Sequence, residues 1–151
     1  MDNDISKKRR IDNDLINIHK LAMSIFDQCI NQSGFVCWRS SCVLATRLVD
    51  EVLPLLKEYI RIYPDNVETA FDLSLKIYGI CANADIDLDD LASVISDEFC
   101  CLWVNLINGS DDELRNYILC NLSKFYERFN VENLMVTRIE YVISDLQIMN
   151  K

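Results

Sequence analysis

A chain of 151 residues, half of them hydrophobic and only three Gly and two Pro, can bury roughly 68–70% of the surface that its unfolded form exposes, so one domain needs no disulfide or metal staple. Its net charge of −9 argues against nonspecific attachment to nucleic acid or to an anionic membrane, since both depend on Lys and Arg meeting phosphates. The apolar runs are too short and too broken by charge to span a bilayer.

The charge is unevenly spread. Lys7, Lys8, Arg9 and Arg10 stand against Asp2 and Asp4 in residues 1–10, leaving −11 for residues 11–151. We therefore expect a flexible basic tail over 1–10 and a single all-α domain over 11–151. From Ile11 to about Ile30, the residues Leu15, Ile18, Ala22, Ile25, Phe26 and Cys29 recur at three- and four-residue steps, one face of a helix. Asn31-Gln32-Ser33-Gly34 is a stop, because Gly accepts the left-handed conformation that ends helices. Phe35 to Tyr63 is apolar on most sides, as expected of a helix at the centre of a bundle. Pro54 lacks an amide donor and clashes with the preceding turn, which predicts a kink or two abutting helices there.

Tyr63-Pro64-Asp65-Asn66 reads as a turn, with Asp65 and Glu68 in a capping arrangement that opens a helix running to about Ala82. Leu88, Leu91, Ile95, Phe99, Leu102 and Leu106 mark the next helix. Ser110-Asp111-Asp112-Glu113 predicts a Ser N-cap with acids against the positive helix end, for a helix reaching about Phe129. A last helix, capped by Asn130, carries Val131, Met135, Ile139, Val142, Leu146 and Met149 at the same steps. Its apolar arc is broad enough that it is either deeply packed or shared with a partner, and a homodimer through this face is one expectation.

About six helices with short links make an all-α fold. They stack as hairpins or close into a compact bundle. The helix starts near 66 and 111 are 45 residues apart, and Ser110 to Leu122, an acidic entry followed by stacked apolar positions, resembles a helix of the HEAT and armadillo repeats. Lys76-Ile77-Tyr78-Gly79-Ile80-Cys81-Ala82, followed by an acidic link and two further helices, is similar to the core of the small poxvirus helical bundles. That resemblance implies the fold of the cellular apoptosis regulators and a role in blocking host death or immune signalling. The groove motif Trp-Gly-Arg of those regulators is not reproduced, since Trp38-Arg39 lacks the intervening Gly.

Seven cysteines, Cys29, Cys37, Cys42, Cys81, Cys100, Cys101 and Cys120, make an odd count, and the polar opening Met1-Asp2-Asn3-Asp4 offers no secretory signal. Most of these thiols sit among aliphatic residues, so they read as small buried hydrophobes in a reducing, intracellular compartment. The sequons at Asn31, Asn108 and Asn121 then read as chance.

Catalytic and metal signatures fail on spacing. Asp85-Ile86-Asp87-Leu88-Asp89-Asp90 begins like a calcium loop, but Asp90 stands where the loop needs Gly and Ser96 where it needs a bidentate Glu. Helix-start acids account for it better. No two cysteines are spaced CxxC and His19 is the single histidine, read as a surface residue; no Cys is selected as its thiol partner. The carboxylate pairs follow from 24 acids, and no GxGxxG, GxxxxGK[ST] or GxSxG occurs. The sequence thus leads us to expect no catalytic, cofactor-binding or metal residue and no cofactor.

Lys7, Lys8, Arg9 and Arg10 remain as a nuclear-targeting peptide for an import adaptor. Direct nucleic-acid binding is disfavoured by the acidic body. Trp38, Trp103, Phe35, Phe99, Tyr117, Phe125 and Phe129 are expected in the core. The reading of function is a non-enzymatic protein–protein interaction module, an adaptor or scaffold subunit, nuclear or nucleocytoplasmic, or cytoplasmic if the basic run is inert. The alternatives are a virus-encoded bundle that inhibits a host death or immune signalling protein, and a small helical enzyme using a Cys or carboxylate.

Overall fold

The computed structural model describes residues 2–31, 38–83, 89–128 and 143–144, and among them there are helices and turns but no strand. Helix α1 spans Asp2–Phe26 and continues through a wider π turn, Asp27–Asn31. It starts well before the predicted Ile11. Residues 2–10, expected as a tail, are its first turns: they contain no Gly or Pro, and Lys and Arg are good helix formers. The apolar periodicity marks only where α1 begins to be buried.

Helix α2, Trp38–Arg47, and helix α3, Leu53–Ile62, follow one another through a second π turn, Leu48–Val52. This is the expected break at Pro54, which sits in the first turn of α3. There its missing N–H costs nothing, and the widened turn before it relieves the clash with the carbonyl four residues back. Arg47, the last residue of α2, bonds to both π turns, donating to Gln28 Oε1 at 2.5 Å and to Glu51 Oε2 at 2.7 Å. The hydrogen bond to Glu51 raises the Arg47 pKa and lowers that of Glu51.

A 3-10 turn, Pro64–Asn66, closed by Asn66 N–H to the Tyr63 carbonyl at 3.0 Å, leads into α4, Val67–Asn83. Helices α5, Asp89–Asn108, and α6, Asp112–Arg128, complete the described body. The cap of α6 is Asp111 and not Ser110. Asp111 Oδ1 accepts from Leu114 N–H at 2.9 Å, while the Ser110 hydroxyl donates back to the Leu106 carbonyl and so closes the end of α5.

The helices close into a bundle around α4, which packs against α1, α3, α5 and α6. Ala70, Phe71, Leu73, Ser74, Ile77, Tyr78, Gly79, Cys81 and Ala82 of α4 are all buried. The central position predicted for residues 35–63 therefore belongs to α4, because α3 buries only the stripe Leu53, Leu56 and Tyr59. Rings fill the space between α4, α5 and α6: Tyr78 lies 5.1 Å from Trp103, 5.5 Å from Phe99 and 5.8 Å from Phe125, centroid to centroid. Their polar atoms are paired. Trp103 Nε1 donates to Ser74 Oγ at 2.9 Å, Ser74 Oγ donates to the Phe71 carbonyl at 2.6 Å, and the Tyr78 and Ser96 hydroxyls meet at 2.8 Å.

Gly79 lets α4 and α6 approach. A Cβ there would lie 3.2 Å from Phe125 Cε2, on a ring already held between Tyr78 and the Arg128 guanidinium. The predicted last helix lies outside the described residues apart from helical Ile143 and Ser144, and Ile143 packs against the core.

Candidate interaction site

Helices α1 and α3 pack alongside each other. They bury Ile18, Leu56 and Tyr59, but leave a groove of about 240 Å³ lined by Asp14, Asn17, Ile18, Leu55, Glu58, Tyr59, Ile62 and Tyr63. Two of its apolar side chains face solvent: Leu55 is 43% and Ile62 48% exposed. They stand seven residues apart, two turns along the same face of α3, with Glu58 and Tyr59 between them on that face. The floor is aromatic, since Tyr59 and Tyr63 meet edge to face at 4.9 Å.

The acidic rim is tied to this floor. Tyr63 donates its hydroxyl proton to Asp14 Oδ2 at 2.6 Å, joining α3 to α1, and the bond together with burial raises the Tyr63 pKa. Burial first, then the nearby Asp12 and Asp14 charges, raise that of Tyr59. Glu58 takes both Nε and an Nη of Arg61 one turn on, which lowers its pKa. Both side chains of that pair are more than half exposed, so solvent screens it and it is easily exchanged.

A second, polar groove of about 380 Å³ lies where α4 and α6 begin, lined by Pro64, Asp65, Val67, Glu68, Asp111, Glu113, Leu114 and Tyr117. Tyr117 donates to Asp72, 2.8 Å from Oδ1 and 3.0 Å from Oδ2, and this hydrogen bond with burial and the Asp72 and Glu68 charges pushes its pKa up to about 12. A phenol held neutral in the fold and ionising at its ordinary value of 10 when unfolded stabilises the protein fully below pH 10. That stabilisation is lost as pH rises through the folded value. Urea midpoints should accordingly fall between about pH 10 and 12, and the Tyr117→Phe variant should show a smaller fall over that window; an equal fall would remove Tyr117 from the account.

Lys7, Lys8, Arg9 and Arg10 are exposed on the first turns of α1, and Lys7 and Lys8 edge a groove with Ile11, Asp12, Leu15, Tyr59, Asn66 and Thr69. Both this groove and the acidic one border the start of α4, the first through Asn66 and Thr69 and the second through Asp65, Val67 and Glu68. Val131, Met135, Ile139, Val142, Leu146 and Met149, the predicted self-association face, lie outside the described residues.

Cys29 and Cys81 are buried, Cys100 is half-buried, and Cys101 and Cys120 are exposed. Burial pushes the Cys81 thiol up to about 12, which removes it as a nucleophile at neutral pH. No group of three or more His, Cys, Asp or Glu among the described residues is placed to hold a metal ion. Asp85 and Asp87 of the calcium-like run lie outside them, and Asp89 and Asp90 open α5. His19 is half-buried and not on the open surface, being drawn in beside buried Ile18 and Ala22. Phe99, Trp103 and Phe125 are in the core as expected, Tyr117 is half-buried, Trp38 opens α2, and Phe35 and Phe129 lie outside the described residues. No described helix is long and apolar enough to cross a membrane.

The sequence reading missed the α1–α3 groove. Its signal was present in the register of α3: Leu56, Tyr59 and Tyr63 form the buried stripe, so Leu55 and Ile62 fall beside it. Comparison of the chain with protein-family models, with curated proteins and with solved structures finds no match.

Proposed function

We propose that this chain is a non-enzymatic protein-interaction module, an adaptor or scaffold subunit that receives a partner in the groove between α1 and α3. The observation that carries the reading is the exposure of Leu55 and Ile62 over a floor of Ile18, Tyr59 and Tyr63. Apolar side chains gathered in a cleft and rimmed by polar groups are what protein partners bury. Affinity purification from the native cell with the wild-type chain and with the double variant Leu55→Glu, Ile62→Glu tests it. The reading expects the principal bound protein to be lost with the double variant; an unchanged set of bound proteins would overturn it.

The exposed Lys7, Lys8, Arg9 and Arg10 support a nuclear destination through an import adaptor. These adaptors hold extended peptides, so the first turns of α1 have to unwind, which costs little at a fraying helix end. Changing the four residues to Ala should move a fluorescent fusion out of the nucleus; an unchanged distribution would contradict the import role.

A second reading is favoured by the closure of the bundle around α4, the helix that contains Lys76–Ala82. It is a virus-encoded bundle that sequesters a host death or immune signalling protein. The same purification separates the two readings by the identity of the bound protein.

A further inference from the structure

We infer that the α1–α3 groove takes an amphipathic helix of a protein partner, one that carries aliphatic anchors about two turns apart and lysine or arginine beside them. This rests on the interaction reading above and adds the chemistry of the partner. The groove holds about 240 Å³, less than the roughly 300 Å³ at which small-molecule sites begin. It therefore fits a few side chains of a larger body and not a whole metabolite.

Its shape follows α3. Leu55, Glu58, Tyr59 and Ile62 stand at i, i+3, i+4 and i+7, a strip about 10 Å long at 1.5 Å per residue. A second helix laid along such a strip presents its own side chains at the same steps, which is how amphipathic helices enter grooves. An extended strand, whose side chains alternate between faces, matches that spacing poorly.

The charge of the partner follows from the lining, which contains two carboxylates, Asp14 and Glu58, and no base. Tyr63 donates a hydrogen bond to Asp14 from a neutral phenol and so adds no positive charge to offset the carboxylate. Glu58 is bound to Arg61 on the open surface, where a cation on the partner competes at little cost. The net charge of −9 attracts the same partner at longer range and repels an acidic one.

The probes are two labelled model helices of about 18 residues, five turns, with the same leucine face and either lysine or glutamate on the other. Fluorescence anisotropy with the full chain, in reducing buffer at near-physiological salt, reads their binding. The lysine helix should bind at least about tenfold more tightly than the glutamate helix, and Leu55→Glu should weaken it by about tenfold, with Ile62→Glu as an independent second variant. Each substitution adds negative charge, so mere attraction of a basic peptide to an acidic protein predicts the opposite sign. Glu58→Gln should weaken the lysine helix alone.

Unchanged or tighter binding of the lysine helix to both groove variants would overturn docking in this groove. Equal binding of the two helices, still lost with Leu55→Glu, would overturn the basic partner while leaving the interaction reading intact. A doubling of the chain's mass in solution, abolished by Leu55→Glu, would overturn it in favour of a second copy.

Discussion

Replacing Trp103 by Ala is expected to lower the free energy of unfolding by about 3–5 kcal/mol, the range for truncating a large buried ring. Trp103 is fully buried on α5, and its ring meets Phe71, Tyr78 and Phe99 at 6.3, 5.1 and 5.9 Å. The loss compares with a total stability of about 5–15 kcal/mol for an ordinary domain, so the variant should sit near the edge of folding. Trp103→Phe keeps most of the packing but loses the donor to Ser74 Oγ, and should cost less. Urea unfolding followed by helical circular dichroism in reducing buffer measures both. A Trp103→Ala cost under about 0.5 kcal/mol, the level of surface substitutions, would show that α5 does not pack on α4 through this ring.

The second large effect is expected at Gly79. Leu there must place its Cβ 3.2 Å from Phe125 Cε2 and then find room for three more carbons. The Phe125 ring cannot swing away without leaving Tyr78 and Arg128. The expected cost is about 1–3 kcal/mol, that of overpacking a filled core. Gly79→Ala sets two small effects against each other: a shift of a few tenths of an ångström at Phe125, and a helix-propensity gain of about 1 kcal/mol. It should therefore be close to neutral. A Leu variant as stable as wild type in urea would mean that α4 and α6 stand farther apart than described.

The helical class and most helix ends were legible because they are local. Apolar residues at three- and four-residue steps, with the turn signals beside them, place the start of α4, the end of α5 and the start of α6 within one or two residues of those observed. Pro54 marks the junction of α2 and α3 because its ring acts on its own turn. What escaped depends on pairing between helices or on atoms the pattern does not rank. The first turns of α1 leave no apolar periodicity because residues 5–10 are exposed. Ser110 and Asp111 are both good caps in sequence, and only the bond of Ser110 to the Leu106 carbonyl decides between them.

The groove belongs to the same class of missed features. A stretch as apolar as residues 35–63 suggests burial on every side, and which side is left open depends on where α1 and α4 lie against α3. The exposed basic residues on α1 were legible as charge, but the groove that Lys7 and Lys8 edge beside the start of α4 was not.

A helical partner is expected to touch the molecule along the groove between α1 and α3. Methyl-labelled NMR spectra of the full chain, titrated with the lysine model helix, read that contact. The account predicts that the largest shifts fall on the methyls of Ile18, Leu55 and Ile62. Shifts centred instead on Val67 and Leu114 in the acidic groove between α4 and α6, or spread evenly over the surface, would contradict it.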